Sequence, residues 1–188
     1  MRIEAPKKFH NKILHLSLFI KENNPIAILE KFSGRRLKQK VIVKYKTLGQ
    51  EARFRKNIIF VDFNNNIKYL WLSICHELAH IILENPPWYE RKDIADFVKK
   101  YKGFRSKKYK YKFHQAIEQT LTILLQAACE QKVEIRKLAW KEWELTFDYM
   151  EVKDYGKKLW KDWLLYLKNT SKYRNIDEWI LEMLGKYF

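Results

Sequence analysis

Three titratable side chains, His76, Glu77 and His80, stand in the middle of WLSICHELAHIIL, Trp71–Leu83, a segment that is otherwise almost all hydrocarbon. Burying an unpaired polar group costs roughly 2–7 kcal/mol, so three such groups kept together imply one shared partner. A divalent metal ion meets that requirement. Residues four apart on a helix lie on one face, so His76 and His80 can direct two imidazoles at one ion. Glu77 is displaced around the helix and can hold a water instead of the ion. In the pattern H-E-x-x-H, here HELAH, zinc lowers the pKa of its water to about 7, and the glutamate takes a proton as that water attacks a peptide carbonyl. The chemistry expected is zinc-dependent peptide hydrolysis, with His76 and His80 as Zn2+ ligands and Glu77 as the catalytic base.

A tetrahedral catalytic zinc needs a third protein ligand. The elongated motif with a glycine and a third histidine just downstream is excluded, because Leu83 and Pro86 occupy those positions. Glu84 lies about 12 Å along the axis from His76 at about 1.5 Å per residue, too far to share an ion comfortably. The remaining source is HQAIEQTLTILLQAACEQ, beginning at His114, whose stripe Ile117, Leu121, Leu124, Leu125 and Ala128 would pack on the motif helix. Glu118 is the lone acid within its apolar part, and a carboxylate at a buried position needs a partner. Glu118 is therefore the expected third ligand, with His114, Glu130 and Glu90 as alternatives.

With His76, His80 and Glu118 the sequence resembles the gluzincins, metallopeptidases whose third ligand is a glutamate on a separate helix. Within that clan it looks most like the minigluzincins, soluble minimal forms that resemble the catalytic cores of membrane-embedded prenyl-protein-type peptidases. The resemblance covers about residues 37–130. Thr122 departs from it, standing where related families often carry an acid or asparagine. The resemblance implies a peptide or protein substrate bound in extended form along the strand before the motif helix, here NIIFVDF, Asn57–Phe63. It also implies a group that stabilises the oxyanion, for which His114, Tyr109 and Tyr111 are candidates.

The elements that must hold these residues are mostly helical. Lys7–Glu22 has helical apolar spacing, with Asn23 as a left-handed terminator, and Asn24-Pro25 opens a short helix that Ser33-Gly34 breaks. KVIVKYK, Lys40–Lys46, and NIIFVDF read as two strands paired antiparallel across a connection containing Gly49. Asn66 is the expected N-cap of the motif helix. Helices are also expected over Arg91–Tyr101, His114–Lys132 with a continuation toward Met150, Lys157–Asn169 and Ile176–Lys186, the last capped by Asn175. The fold class expected is α+β: a mostly helical zincin-like catalytic domain over residues 1–132 with a small antiparallel sheet, and a helical, aromatic-rich extension over residues 133–188 packed on it.

Composition sets the outer bounds. A chain of 188 residues with 47% hydrophobic and 15% aromatic side chains can bury a sizeable core. It lacks a run apolar enough to span a bilayer and a start of signal-peptide type, and its cysteines, Cys75 and Cys129, lack metal-binding spacing, so a cytoplasmic protein is expected. The formal net charge of +16 attracts nucleic acid, acidic proteins or anionic lipid. Its abundant lysine, isoleucine, tyrosine and asparagine also suit a low-GC genome or growth at high temperature. KKYKGFRSKKYKYKF, residues 99–113, holds eight cations and five rings without an acid, a candidate nucleic-acid surface or a solvated loop. A non-catalytic nucleic-acid-binding module on a peptidase-like fold is the rival to the enzyme. Five of the seven tryptophans lie after residue 139, so the extension is expected to pack on the catalytic domain. A sharper expectation is a latent enzyme whose cleft its own terminal segment covers.

Overall fold

The structure, a computed structural model, describes residues 1–47, 52–104, 112–135 and 150–188. Along the chain come β1 (Arg2–Glu4), α1 (His10–Glu22), α2 (Pro25–Ser33), β2 (Ile42–Tyr45), β3 (Arg53–Arg55), β4 (Ile58–Val61), α3 (Ile67–Leu83), α4 (Lys92–Lys99), α5 (Phe113–Lys132), α6 (Met150–Lys168) and α7 (Ile176–Tyr187). Short 3-10 turns occupy Lys7–Phe9, Trp88–Glu90 and Thr170–Lys172. The architecture is α+β, mostly helical with one small sheet.

Local chemistry accounts for the helix boundaries. Asn24 Oδ1 accepts from the N–H groups of Ile26 and Ala27 at 3.1 and 3.2 Å, with Pro25 at the first helical position. Gly34 ends α2 at φ +65°, and a Cβ there would stand 2.7 Å from Asn175 Cα. Asn66 Oδ1 caps α3 through the Tyr69 N–H at 2.8 Å, and Asn175 caps α7. Asn23 closes α1 without entering the left-handed region: its φ is −120°, and its backbone and side-chain N–H groups both donate to Phe19 O.

The sheet is mixed, in the order β1-β2-β4-β3. β2 and β4, read from the sequence as an antiparallel pair, run parallel, with Ile42 opposite Ile58 and Tyr45 opposite Val61. The connection between them holds β3, which makes the hairpin with β4, and Lys56 at φ +57° begins its two-residue loop. A strand interposed in this way reverses the chain once more and turns β2 parallel to β4. β1 adds to the far edge, parallel to β2.

The motif helix α3 runs through the middle of the core, packed by α1, α2, α5 and the sheet. Trp71, Ile74, Cys75, Leu78, Ile81 and Leu83 are all fully buried, each large apolar side chain stabilising the fold by about 1.5–3 kcal/mol. The expected stripe of α5, Ile117, Leu121, Leu124, Leu125 and Ala128, is buried as well. The same buried cluster continues into Leu159, Trp163 and Tyr166 of α6 and Trp179, Ile180 and Met183 of α7. Trp140 and Trp143 lie outside the described residues.

Arg35, in the turn after α2, ties these parts together. Its Nε and Nη2 donate to Asp177 of α7 at 2.9 and 2.8 Å, and its Nη1 donates to the carbonyls of Ile82, Leu83 and Pro86 at 2.7–2.9 Å. One guanidinium thus satisfies carbonyls left open at the end of α3, while an acid of the C-terminal helix neutralises it. No helix of the described residues is long and apolar enough to cross a membrane.

Candidate metal centre

α3 and α5 lie side by side and carry the expected site residues onto facing surfaces. His76, Glu77, His80, His114 and Glu118 all line one cavity of about 460 Å³, together with Arg53 and Phe54 of β3, Glu84, Tyr89, Gln115 and Gln119. Glu90 is exposed and Glu130 is buried against Gln126, and neither lines the cavity, which removes both as alternatives to Glu118. No described residue of α1, α2 or 150–188 lines it, so the expected cover over the cleft is not formed by these segments.

Each motif histidine is held through Nδ1. His76 Nδ1 meets Gln126 Oε1 at 2.9 Å, and the Gln126 amide is oriented by its own donation to Glu130 Oε1 at 3.1 Å. An accepting oxygen fixes His76 with its proton on Nδ1 and leaves Nε2 with a lone pair. His80 Nδ1 meets Glu118 Oε1 at 2.9 Å, with Thr122 Oγ1 at 3.3 Å. The two imidazoles lie 5.1 Å apart between centroids, and Phe54 stacks on His80 at 5.5 Å and 17°.

Burial sets the protonation states. It lowers the pKa of His76 to about 4, with the neighbouring His80 adding to the effect, and lowers that of His80 to about 4. Both rings are therefore neutral near pH 7, the form that binds a metal. Burial raises Glu77 to about 7 and Glu118 to about 7, hydrogen bonds from Glu84 and the approach of Trp88 opposing the rise at Glu118. Glu84 is raised by burial and then by Glu118, so it is the proton donor of that carboxyl pair. The Trp88 indole N–H comes close enough to lower the Glu118 pKa but makes no hydrogen bond of proper geometry, leaving a buried donor beside the carboxyl without a fixed acceptor.

The donor set fits a zinc ion: two neutral imidazoles one turn apart, a carboxyl on the facing helix, and further donors around that carboxyl. As they stand, no three His, Cys, Asp or Glu side chains among the described residues form a metal-holding group, and Glu118 supports His80 Nδ1 directly. For Glu118 to serve as a ligand it must turn a carboxylate oxygen from Nδ1 toward the cavity, and Glu84 and Trp88 are the donors that can hold its other oxygen.

His114 lines the cavity mouth with its ring 4.4 Å from that of Tyr89. Tyr109 and Tyr111 lie outside the described residues, as do residues 105–108 and 110 of the basic segment. Three of that segment's rings turn inward: Tyr101 stacks on Phe113 at 4.2 Å, Phe104 meets Phe113 edge-on, and the Tyr101 hydroxyl donates to Phe188 O. Those three rings are engaged in the core and are not offered to bases.

Sequence reasoning missed Glu84, Tyr89, Phe54 and Gln126. Glu84 was measured against His76 along the axis, whereas its neighbour in the cavity is Glu118 on the other helix. Gln126 could have been found, since it stands eight residues, close to two turns, after Glu118 on the same stripe. Comparison of the chain with protein-family models, curated proteins and solved structures finds no match.

Proposed function

We propose that this protein is a zinc-dependent metallopeptidase of gluzincin type, hydrolysing peptide bonds with an activated water. The observation that carries the reading is the pairing of α3 with α5: His76, Glu77 and His80 open onto one cavity, and Glu118 of the facing helix reaches His80 at 2.9 Å. His76 and His80, through Nε2, and Glu118, through its carboxylate, are the groups that would hold the ion. Zinc bound there would act as a Lewis acid and lower the pKa of a water toward about 7.

The chain's own residues supply the rest. Glu77 takes a proton from the attacking water and delivers it to the leaving amine, and a pKa raised by burial to about 7 suits a group that must both accept and release a proton near neutrality. His114 and Tyr89, at the cavity mouth, are the donors available to a developing oxyanion. NIIFVDF, expected to bind substrate, forms β4, which has a strand on each side and no open edge. The strand that can accept an extended peptide is β3, at the sheet edge and lining the cavity. Cys75 and Cys129, buried and unbridged, suit a reducing compartment, and the cytoplasm is the compartment proposed.

The test is hydrolysis of casein by the zinc-loaded chain, with and without chelator, beside Glu77→Gln. The expected result is chelator-sensitive cleavage that the variant loses while keeping its zinc. Full activity in the variant, or cleavage indifferent to chelation, overturns the proposal.

A further inference from the structure

We propose that Arg53 and Arg55 select peptide substrates with acidic side chains on both sides of the residue held over His80. The inference rests on the peptidase reading and names the substrate class of that same site.

Backbone geometry fixes where a substrate strand would pair. β3 is the last strand of the sheet, bonded to β4 on one side only among the described residues. Arg55 and Ile58 flank a two-residue loop and so form a hydrogen-bonded pair, as do Arg53 and Phe60 two positions away. The backbone N–H and C=O of both arginines are therefore spent on β4. Phe54, opposite Ile59 between them, has its N–H and C=O turned to the open edge. An added strand exchanges its bonds with Phe54, whose ring stacks on His80. The substrate residue opposite Phe54 then shares that face and lies over the site, and its two neighbours share the opposite face with Arg53 and Arg55.

That opposite face is cationic. Both arginines are exposed, whereas Phe54 is half-buried. Partners in register share a face, so Arg53 lies in one row with Phe60, Lys44 and Glu4, and Arg55 in one row with Ile58, Ile42 and Arg2. Lys46 adds a charge over the Phe60 ring at 5.7 Å. Glu4 is the one acid in these rows, and it is engaged by Arg2 at 3.0 Å and Lys44 at 3.3 Å. The acids of the cavity, Glu77, Glu84 and Glu118, come from α3 and α5 and face the buried side of β3 with His80. They meet the residue over His80, not its neighbours. Cross-strand neighbours on a sheet stand with Cβ atoms about 4.5–5.5 Å apart, within reach of an arginine–carboxylate pair.

The experiment compares three peptides with one neutral core, carrying Asp, Ser or Lys on both sides of the scissile region, cleaved by the zinc-loaded full chain and by an Arg53→Glu/Arg55→Glu variant. The native chain is expected to favour the Asp peptide over the Ser peptide by about two- to five-fold in kcat/KM per matched charge, with the preference shrinking as salt is added. The variant is expected to reverse the order toward the Lys peptide, an effect that misfolding does not produce. Equal cleavage of all three by the native chain, or a salt-independent order, overturns the specificity and leaves the peptidase reading standing. If none of the peptides nor casein is cut by zinc-loaded protein, the peptidase reading fails and the specificity falls with it.

Discussion

Removing Asp177 tests how far the C-terminal helix supports the metal centre. Its carboxylate takes two hydrogen bonds from Arg35 at 2.9 and 2.8 Å, and the side chains of the pair are only 8% and 9% exposed. Asp177→Ala leaves a guanidinium buried beside the end of α3 without its countercharge. Breaking a buried pair from one side costs about 3–5 kcal/mol. At about 2–4 °C per kcal/mol for a chain of this size, the melting temperature should fall by roughly 6–20 °C. Removing both partners, as Arg35→Met with Asp177→Leu, leaves no orphaned charge and should recover most of that loss, although the carbonyls of Ile82, Leu83 and Pro86 lose their donor. Urea and thermal unfolding of the metal-free proteins measure both changes. A loss below about 1 kcal/mol in Asp177→Ala would show that the pair carries little, and the reasoning would be wrong. The same geometry implies that deleting residues 133–188 costs the chain its fold instead of releasing activity, because Asp177, Trp163 and Trp179 leave with the segment.

Further expectations follow from the site and its supports. Gln126→Leu removes the oxygen that fixes His76, and zinc affinity should drop about 10–100-fold in a competitive chelator titration; unchanged affinity would deny Gln126 that role. Zinc uptake should release about one proton at pH 6 and close to none at pH 8, read by calorimetry in buffers of different ionisation heat. The sign follows from the starting states: Glu118, raised to about 7, must lose a proton below that pH, whereas His76 and His80, lowered to about 4, are already neutral. Two or more protons released at pH 6 would contradict these assignments. Gly34→Ala puts a Cβ at 2.7 Å from Asn175 Cα in a left-handed residue and should cost about 1–3 kcal/mol in urea unfolding.

Much of the site was legible because its signals are local. Asn24, Asn66 and Asn175 cap the helices they were expected to cap, and HELAH lies on one helix because its apolar neighbours must be buried. Glu118 was legible for the same reason, as an acid in a stripe too apolar to leave in water. Strand direction was not, because alternation identifies a strand without saying which way its partner runs. β1 and β3, three residues each, are too short to show any period, and β3 decided the sheet order. The Glu84–Glu118 contact was hidden because spacing along one helix says nothing about which residue of another helix faces it.

Zinc stoichiometry of the purified chain, measured by elemental analysis after dialysis against trace zinc, tests the central claim most directly when His76→Ala, His80→Ala and Glu118→Ala are measured beside the native protein. One zinc per native chain, lost or greatly weakened in all three variants that remain folded, is the result expected. Native protein without stoichiometric zinc, or zinc that survives the loss of both histidines, would contradict the account.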